Sequence, residues 1–546
     1  MSVRITVPED RVRSAGRFWP GITVIDRLDA VAAATPDKAA IVARNSTSGR
    51  TTTLTWRQLR RIVDRMALAL VDLGIGKDDV VSCQLPNWWE FTALHLAAMR
   101  IGAVTNPIMP IFREREVGYM LGHADSRLVV VPKSYRGFDY PAMLEGLKPG
   151  LPKLEHVIVI GGEGEAAFET ALLGKRREGD AERERLFAER RMGPDDVVQL
   201  LYTSGTTGEP KGVMHTSNTL FSNIVVYAER LGLSADDVVL MASPMAHQTG
   251  FMYGLMMPVY LGAKAVLQDV WDPAVAATLI EDEAVSFTMA STPFLADLAG
   301  TPALSACDIS SLGIFLAAGA PIPSILAERA AEKLGAEIIS AWGMTENGAV
   351  TTTKPGDPAE KAFGSDGVAV PGMEVRVRDD DDNTAPTGVE GRLEARGAGN
   401  FVGYFKRPEL AKFTEDGWFD TGDLARMDAD GYIRITGRAK DIIIRGGENV
   451  PVVEVEEILY RHPAVAAAAV VAMPDERLGE RGCAFVTLKP EMTLTLDEVR
   501  RHLAAAGMSK QYWPERLEIS EELPRTASGK IQKFRLREIA GDLKPE

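Results

Sequence analysis

At 546 residues the chain is longer than one hydrophobic core organises, so two or more domains are expected. Its 45% apolar and 25% charged residues are those of a soluble globular protein, and a formal charge of −15 argues against nucleic acid as a partner, though not against a local cationic site for a nucleotide. Cys83, Cys307 and Cys483 show neither zinc spacing nor a disulfide framework, and the histidines lack a paired helical spacing, so neither a stapled secreted fold nor a histidine metal centre is expected.

Residues 1–20 hold no apolar signal-peptide core, and the longest apolar runs, 251–260 and 464–473, fall short of a bilayer span. A cytoplasmic protein without a membrane span is expected. After Thr55, a candidate N-cap, Leu59, Ile62, Val63, Met66 and Leu70 recur at helical spacing until Gly74 and Gly76. A strand over 80–85, a helix over 88–100 and a strand over 103–107 follow. This alternation predicts layered α/β subdomains with largely parallel sheets. Gly162-Glu-Gly164 after an apolar run mimics a dinucleotide fingerprint, but Glu163 and Glu165 would repel a pyrophosphate, so it reads as a plain turn. Residues 174–196 are crowded with Arg and Glu and read as a solvated connector or exposed helix. From 368 to 396 alternation with turn glycines predicts a small antiparallel, β-barrel-like unit, with an acidic turn at 379–383. After Gly437 the composition changes to a compact α+β unit, with a helix from Val453, a strand from Ala464 and a helix after Thr495 capped by Glu498.

The densest chemistry lies at Tyr202 to Gly212. Thr203, Ser204, Thr206 and Thr207 stand between Gly205, Gly208 and Gly212, with Lys211 as the cation. Glycines bring backbone N–H groups close to an anion, hydroxyls add donors and lysine adds charge, which together make a polyphosphate cradle. It lacks the Gly-Lys-Ser/Thr of a Walker loop. Further blocks follow. Gly319, Ala320 and Pro321 form a small-residue loop after a strand. Trp342-Gly343-Met344-Thr345-Glu346 offers an aromatic face, a hydroxyl and a carboxylate. Asp423 suits a ribose diol, Arg438 supplies a guanidinium, and Lys530 follows a flexible glycine. Each alone has a bland reading: Trp342 as core, Glu346 as solvated, Asp423 as a helix cap, Arg438 as a linker charge, Lys530 as a surface lysine.

In this order the blocks resemble the adenylate-forming superfamily of acyl-CoA synthetases, luciferases and peptide-synthetase adenylation domains, over about residues 28–533. The resemblance implies an N-terminal AMP-binding domain, 1–437, and a small mobile lid, 438–546, hinged near Lys440. It implies an acid–CoA ligase that forms an acyl-adenylate and then a thioester, with ATP, Mg2+ and coenzyme A. By that resemblance Thr203 to Lys211 wraps the β- and γ-phosphates. Gly319, Ala320, Pro321, Trp342, Gly343 and Met344 line the nucleotide site, with Trp342 where the family has tyrosine. Thr345 touches the α-phosphate, Glu346 and Thr206 serve magnesium, Asp423 and Arg438 hold the ribose, and Lys530 bridges carboxylate and α-phosphate. Gly446, Gly447 and Glu448 flank a pantetheine tunnel. His247, Gly250, Phe251 and Gly348 belong to the acyl pocket, with His247 either an aromatic gate or a satisfied core histidine.

By the same resemblance segments 247–254, 291–294 and 343–349 line the acyl pocket, and they hold no Arg or Lys to pair a second carboxylate, which favours an apolar monocarboxylic acid. Residues 247–258 and 449–457 look most like the cyclohexanecarboxylate–CoA ligase group, with medium-chain and aryl acids as rivals. Loading of a carrier protein and, in another class, a non-catalytic adenylate sensor remain open. The oligomeric state stays open too, a homodimer included.

Overall fold

The computed structural model describes residues 11, 15–174, 180–203, 209–319, 322–438, 442–445, 448–475, 477–526 and 529–543. Two α/β sheets carry most of the chain. One has nine strands, six of them parallel from Ala39–Asn45 through Lys264–Gln268, Val238–Met241, Phe287–Ala290 and Ile314–Ala318 to Glu337–Met344. Antiparallel strands close both of its edges. The other has six strands, with Val197–Thr203 beside Val104–Pro107 and a last antiparallel strand, Lys211–Thr216.

The helix Trp89–Arg100 explains how the sheets come together. Every residue from Glu90 to Arg100 is buried, so no face of it meets water. An all-round buried helix needs partners on both sides, and here one core joins Leu94 and Ala97 to Val81 of the six-stranded sheet and Val239 of the nine-stranded one. Separate cores cover the outer faces, with Val129 and Val131 in one and Leu240 and Val266 in the other. The order is helix, sheet, helix, sheet, helix, as the strand–helix alternation predicts.

Local signals set the boundaries. Helix Trp56–Asp72 starts in a capping box between Thr55 and Gln58 and buries Leu59, Val63, Met66 and Leu70. Each such side chain contributes about 1.5–3 kcal/mol on leaving water. Leu496–Ala505 begins with the Thr495–Glu498 capping box. The Arg/Glu-rich connector contains a helix, Asp180–Glu189, and the Gly162 region is a turn running into a short 3₁₀ segment.

The expected antiparallel unit is a four-stranded sheet, Met373–Arg378, Gly391–Gly397, Phe419–Met427 and Ile433–Arg438. Beyond it, strands between Ile443 and Ile519 build a sheet with apolar clusters on both faces. That C-terminal unit rests on the body through helix Val452–Arg461. Ser324 Oγ donates to Glu457 Oε1 at 2.6 Å, and Arg426 pairs with Glu454 at 2.9 Å. Among the described residues no helix is long and apolar enough to cross a membrane.

Candidate active site

The loop whose composition suggests a phosphate cradle connects two antiparallel strands. Thr203 and Lys211 are opposite partners in the ladder at its mouth, and residues 204–208 lie outside the described residues. Strands Glu337–Met344 and Gly348–Thr352 form a second hairpin, whose turn carries Thr345 and Glu346. Gly343 is required there, because a Cβ would stand 1.9 Å from the Gly348 carbonyl oxygen.

His215, on the strand leaving the cradle, locks the two hairpins together. Its Nε2 donates to the Thr345 carbonyl at 2.7 Å, while Nδ1 accepts from Thr219 Oγ1 at 3.0 Å. Burial holds its pKa near 4, so the ring is neutral and can do both. Next to this clamp, the Tyr404 hydroxyl donates to Glu346 Oε1 at 2.8 Å and accepts from Lys211 Nζ at 3.3 Å. Glu346 is 5% exposed, so its carboxylate is already oriented.

Trp342 is 8% exposed, and its indole Nε1–H donates to Asp423 Oδ2 at 2.8 Å. Arg438 Nε meets the other oxygen, Oδ1, at 2.8 Å. Both oxygens keep further lone pairs for a diol. The indole therefore aims the carboxylate.

Lys530 comes from the C-terminal unit. Around it Thr526 N donates to the Lys530 carbonyl at 2.7 Å and Gly529 N to the Thr526 carbonyl at 2.9 Å. Gly529 has φ 85°, and a Cβ on it would lie 2.7 Å from Ser291 Oγ. The loop thus presses against the body. A Cβ on Gly319, at the end of strand Ile314–Ala318, would lie 3.4 Å from Lys530 Cε. Desolvation first, then the charge of Arg438, lower the Lys530 pKa to about 8, with Asp423 and Glu346 pulling it back up.

His247 is partly buried, and desolvation together with the Lys530 charge holds it near 3, a neutral ring at working pH. The segment Gly250–Met256 after it is wound as a π-helix, a form frequent at functional sites. Two glycines permit this: a Cβ on Gly250 would meet the Pro244 carbonyl oxygen at 2.2 Å, and one on Gly254 the Met241 Cγ at 2.3 Å. Phe251 turns inward, edge-on to Phe91 and His95, whereas Met252 Cε would lie 3.1 Å from a Cβ on Gly348.

The structure therefore brings Lys211, Trp342, Glu346, Asp423, Arg438 and Lys530 into one connected group, with Gly319 under Lys530. Ala320, Pro321, Lys440, Gly446 and Gly447 lie outside the described residues; Glu448 opens strand Glu448–Val450. Sequence reasoning missed His215 and Tyr404. Neither has a motif of its own, and each acts through partners 130 and 58 residues away.

A glycine- and hydroxyl-rich loop between two strands, a buried carboxylate held by an indole and a guanidinium, and a lysine from the C-terminal unit form the arrangement that the motifs lead one to expect of an adenylating enzyme. Residues 28–405 match the model of the AMP-binding enzyme family and 454–530 that of the AMP-binding enzyme C-terminal domain. The chain belongs to the AMP-binding enzyme family, the adenylate-forming superfamily that its motifs resemble. It is 38% identical to the medium-chain fatty-acid–CoA ligase of Escherichia coli, across 98% of this chain and 94% of that one. It is 35% identical to the 2,3-dihydroxybenzoate-AMP ligase of Bacillus subtilis, over 96% and 95% of the two chains. Among solved structures, the anthranilate CoA ligase AuaEII in complex with anthranoyl-AMP superposes with a TM-score of 0.84 at 27% identity, covering 95% of this chain and 98% of that one. ATP-bound MatB from Rhodopseudomonas palustris gives 0.82 at 26%, covering 96% and 99%.

Proposed function

We propose that this AMP-forming acyl-CoA synthetase adenylates an apolar monocarboxylic acid, medium-chain or alicyclic in shape, and transfers the acyl group to the thiol of coenzyme A. The observation that carries the reading is Lys530 seated over Gly319, within the fields of Glu346, Asp423 and Arg438. A carboxylate oxygen attacks the α-phosphorus of ATP and pyrophosphate leaves. Both reactants are anionic, and the Lys530 ammonium offsets the repulsion and stabilises the charge that develops. The thiol then attacks the acyl carbonyl and AMP leaves.

Lys211 and the cradle 203–208 hold the β- and γ-phosphates, Thr345 the α-phosphate, Asp423 and Arg438 the ribose, and Gly319 to Pro321 with Trp342 to Met344 the base. Magnesium commonly sits on one or two carboxylates plus substrate phosphates. Glu346 fits that role, having one oxygen held by Tyr404, while among the described residues no cluster of three or more His, Cys, Asp or Glu could cage a metal alone. Thr206 is its second proposed contact, and when bound the ion neutralises phosphate charge. The division into 1–437 and 438–546, pivoting at Lys440, lets a second face carrying Gly446, Gly447 and Glu448 replace Lys530 for the thiol step.

The apolar acid is supported by segments 247–254 and 291–294, which carry no Lys or Arg, and the medium-chain half of the reading by the 38% identical relative. An aryl acid is the second reading, favoured by the dihydroxybenzoate and anthranilate relatives. Pyrophosphate release is the test, run with hexanoate, octanoate, cyclohexanecarboxylate, benzoate and salicylate, with the thioester followed by mass spectrometry. Turnover of the first three ahead of the aryl acids is expected. Preference for benzoate or salicylate overturns the choice of acid, and adenylate without thioester overturns coenzyme A as acceptor.

A further inference from the structure

Tyr404 has no assigned part in the reaction, yet it occupies the junction of the two groups that face the triphosphate. The segment 402–405 lies along strand Lys211–Thr216 as a further pairing. Val402 N donates to the Met214 carbonyl, Met214 N to the Gly403 carbonyl at 3.1 Å, and Phe405 N to the Gly212 carbonyl at 2.8 Å. This fixes the Tyr404 backbone opposite Val213. The ring is 2% exposed and packs edge-on to Phe401 with centroids 4.8 Å apart. Lys211 Nζ stands 4.5 Å from the ring centroid, over the face that attracts cations. The hydroxyl accepts from that same ammonium and donates to Glu346 Oε1. Burial, and then the Glu346 charge, raise the phenol pKa, so it keeps the proton it donates.

We propose that Tyr404 is the positioning residue of the ATP site: its hydroxyl couples the Lys211 ammonium to the Glu346 carboxylate, so that the phosphate-binding cation and the metal-binding carboxylate are set as one unit. The inference rests on the roles given above to Lys211 and Glu346. Glu346 has two oxygens and, without the phenol, would rotate to meet the lysine directly. A direct ion pair would occupy both the charge meant for phosphate and the oxygen meant for the ion. With the hydroxyl between them, one carboxylate oxygen is held back and the other is presented. Hydrogen bonds to charged groups are the strong ones, so removal of this hydroxyl should be visible in binding.

The test uses Tyr404→Phe in the full chain, which keeps the ring and its contact with Phe401. Binding of a non-hydrolysable ATP analogue is measured by calorimetry with and without magnesium. In the variant, affinity for the magnesium–analogue complex falls about tenfold, from the hydrogen bonds to charged groups that are lost, and more magnesium is needed to reach half-saturation. KM for the acid and thioester formation from supplied acyl-adenylate stay within about twofold, since neither uses the triphosphate. Unchanged analogue binding overturns the proposal. So does an equal loss in the thioester step, which would mark a merely structural tyrosine.

Glu346→Gln separates this inference from the reading beneath it. If that variant binds the magnesium complex like the parent, the role of Glu346 fails. If it weakens binding while Tyr404→Phe does not, the coupling by Tyr404 alone fails. In the double variant the two losses should fall short of their product, the sign of one shared unit.

Discussion

The two halves of the proposed site are built differently. On the proposed nucleotide side several charged and polar groups already have partners. Tyr404 stands between Lys211 and Glu346, Asp423 between Trp342 and Arg438, and His215 clamps Thr345. In the segment 247–254, proposed for the acyl side, Gln248 is 4% exposed, and among the described residues neither its amide nitrogen nor its amide oxygen has a hydrogen-bond partner. Its neighbours are a neutral His247, two glycines that a side chain could not replace, and buried methionines at 245, 252 and 256. ATP is always the same molecule, so its site can be preorganised by fixed charges. An apolar acid is recognised by shape, which a few methylenes alter by only about 1–3 kcal/mol.

The hardest test of this contrast is Lys530→Ala. Adenylate formation, followed by pyrophosphate exchange, should fall by roughly 100- to 1000-fold, in the range found on removing a group that stabilises transition-state charge. Thioester formation from supplied adenylate should change little. Equal losses would show that the lysine does not belong to one half-reaction alone.

Gly529→Ala probes the seating of the same loop. At φ 85° and with Ser291 Oγ 2.7 Å from the new Cβ, the variant cannot dock as the parent does. Adenylation should drop about tenfold, matching a strain of 1–2 kcal/mol, while the thioester step is preserved. Parent-like adenylation would mean that the loop docks some other way.

The pH profile sharpens the point. Docking lowers the Lys530 pKa from 10.5 to about 8. Only the cation serves adenylation, so kcat/KM for ATP should decline as pH rises through about 8. The ligand-free docked arrangement has the opposite sign. Its lysine gives up a proton more readily than an undocked one, so docking without ATP becomes more favourable as pH rises from about 8 towards 10.5. A flat kcat/KM profile to pH 10 would contradict the lowered pKa.

The smallest expected effect belongs to the acyl side. Gln248→Leu removes an unpartnered buried amide, whose desolvation costs about 1–3 kcal/mol. The variant should melt at the same temperature or a few degrees higher, with KM for ATP unchanged and the order of preferred acids altered. A shift in ATP affinity as large as any shift in acid preference would erase the distinction between the two sides.

Much was legible before any coordinates. Thr55 and Thr495 cap their helices as read, because a capping box is a contact over three residues. The apolar run 197–201 is a strand leading into the Thr203–Lys211 loop as its sequence suggests, whereas the turn that carries Thr345 and Glu346 came from the structure. The helix over 88–100 begins one residue later than its sequence suggests, at Trp89. Phe251, which the resemblance puts in the acyl pocket, packs edge-on to Phe91 and His95 of the helix Trp89–Arg100, and periodicity carries no sign of the π-helical segment that holds it there.

What the amino-acid order determined by itself is therefore local or chemical: where helices start, which loops can approach an anion, which blocks together mean adenylate chemistry. Tertiary structure alone decided which partners those groups acquire. Tyr404 reaches Lys211 across 193 residues and Lys530 settles above Gly319. The reason is physical. Caps and turns draw on backbone geometry within a few residues, whereas a buried charge takes its partner from whatever the packing of two sheets and a C-terminal unit sets beside it.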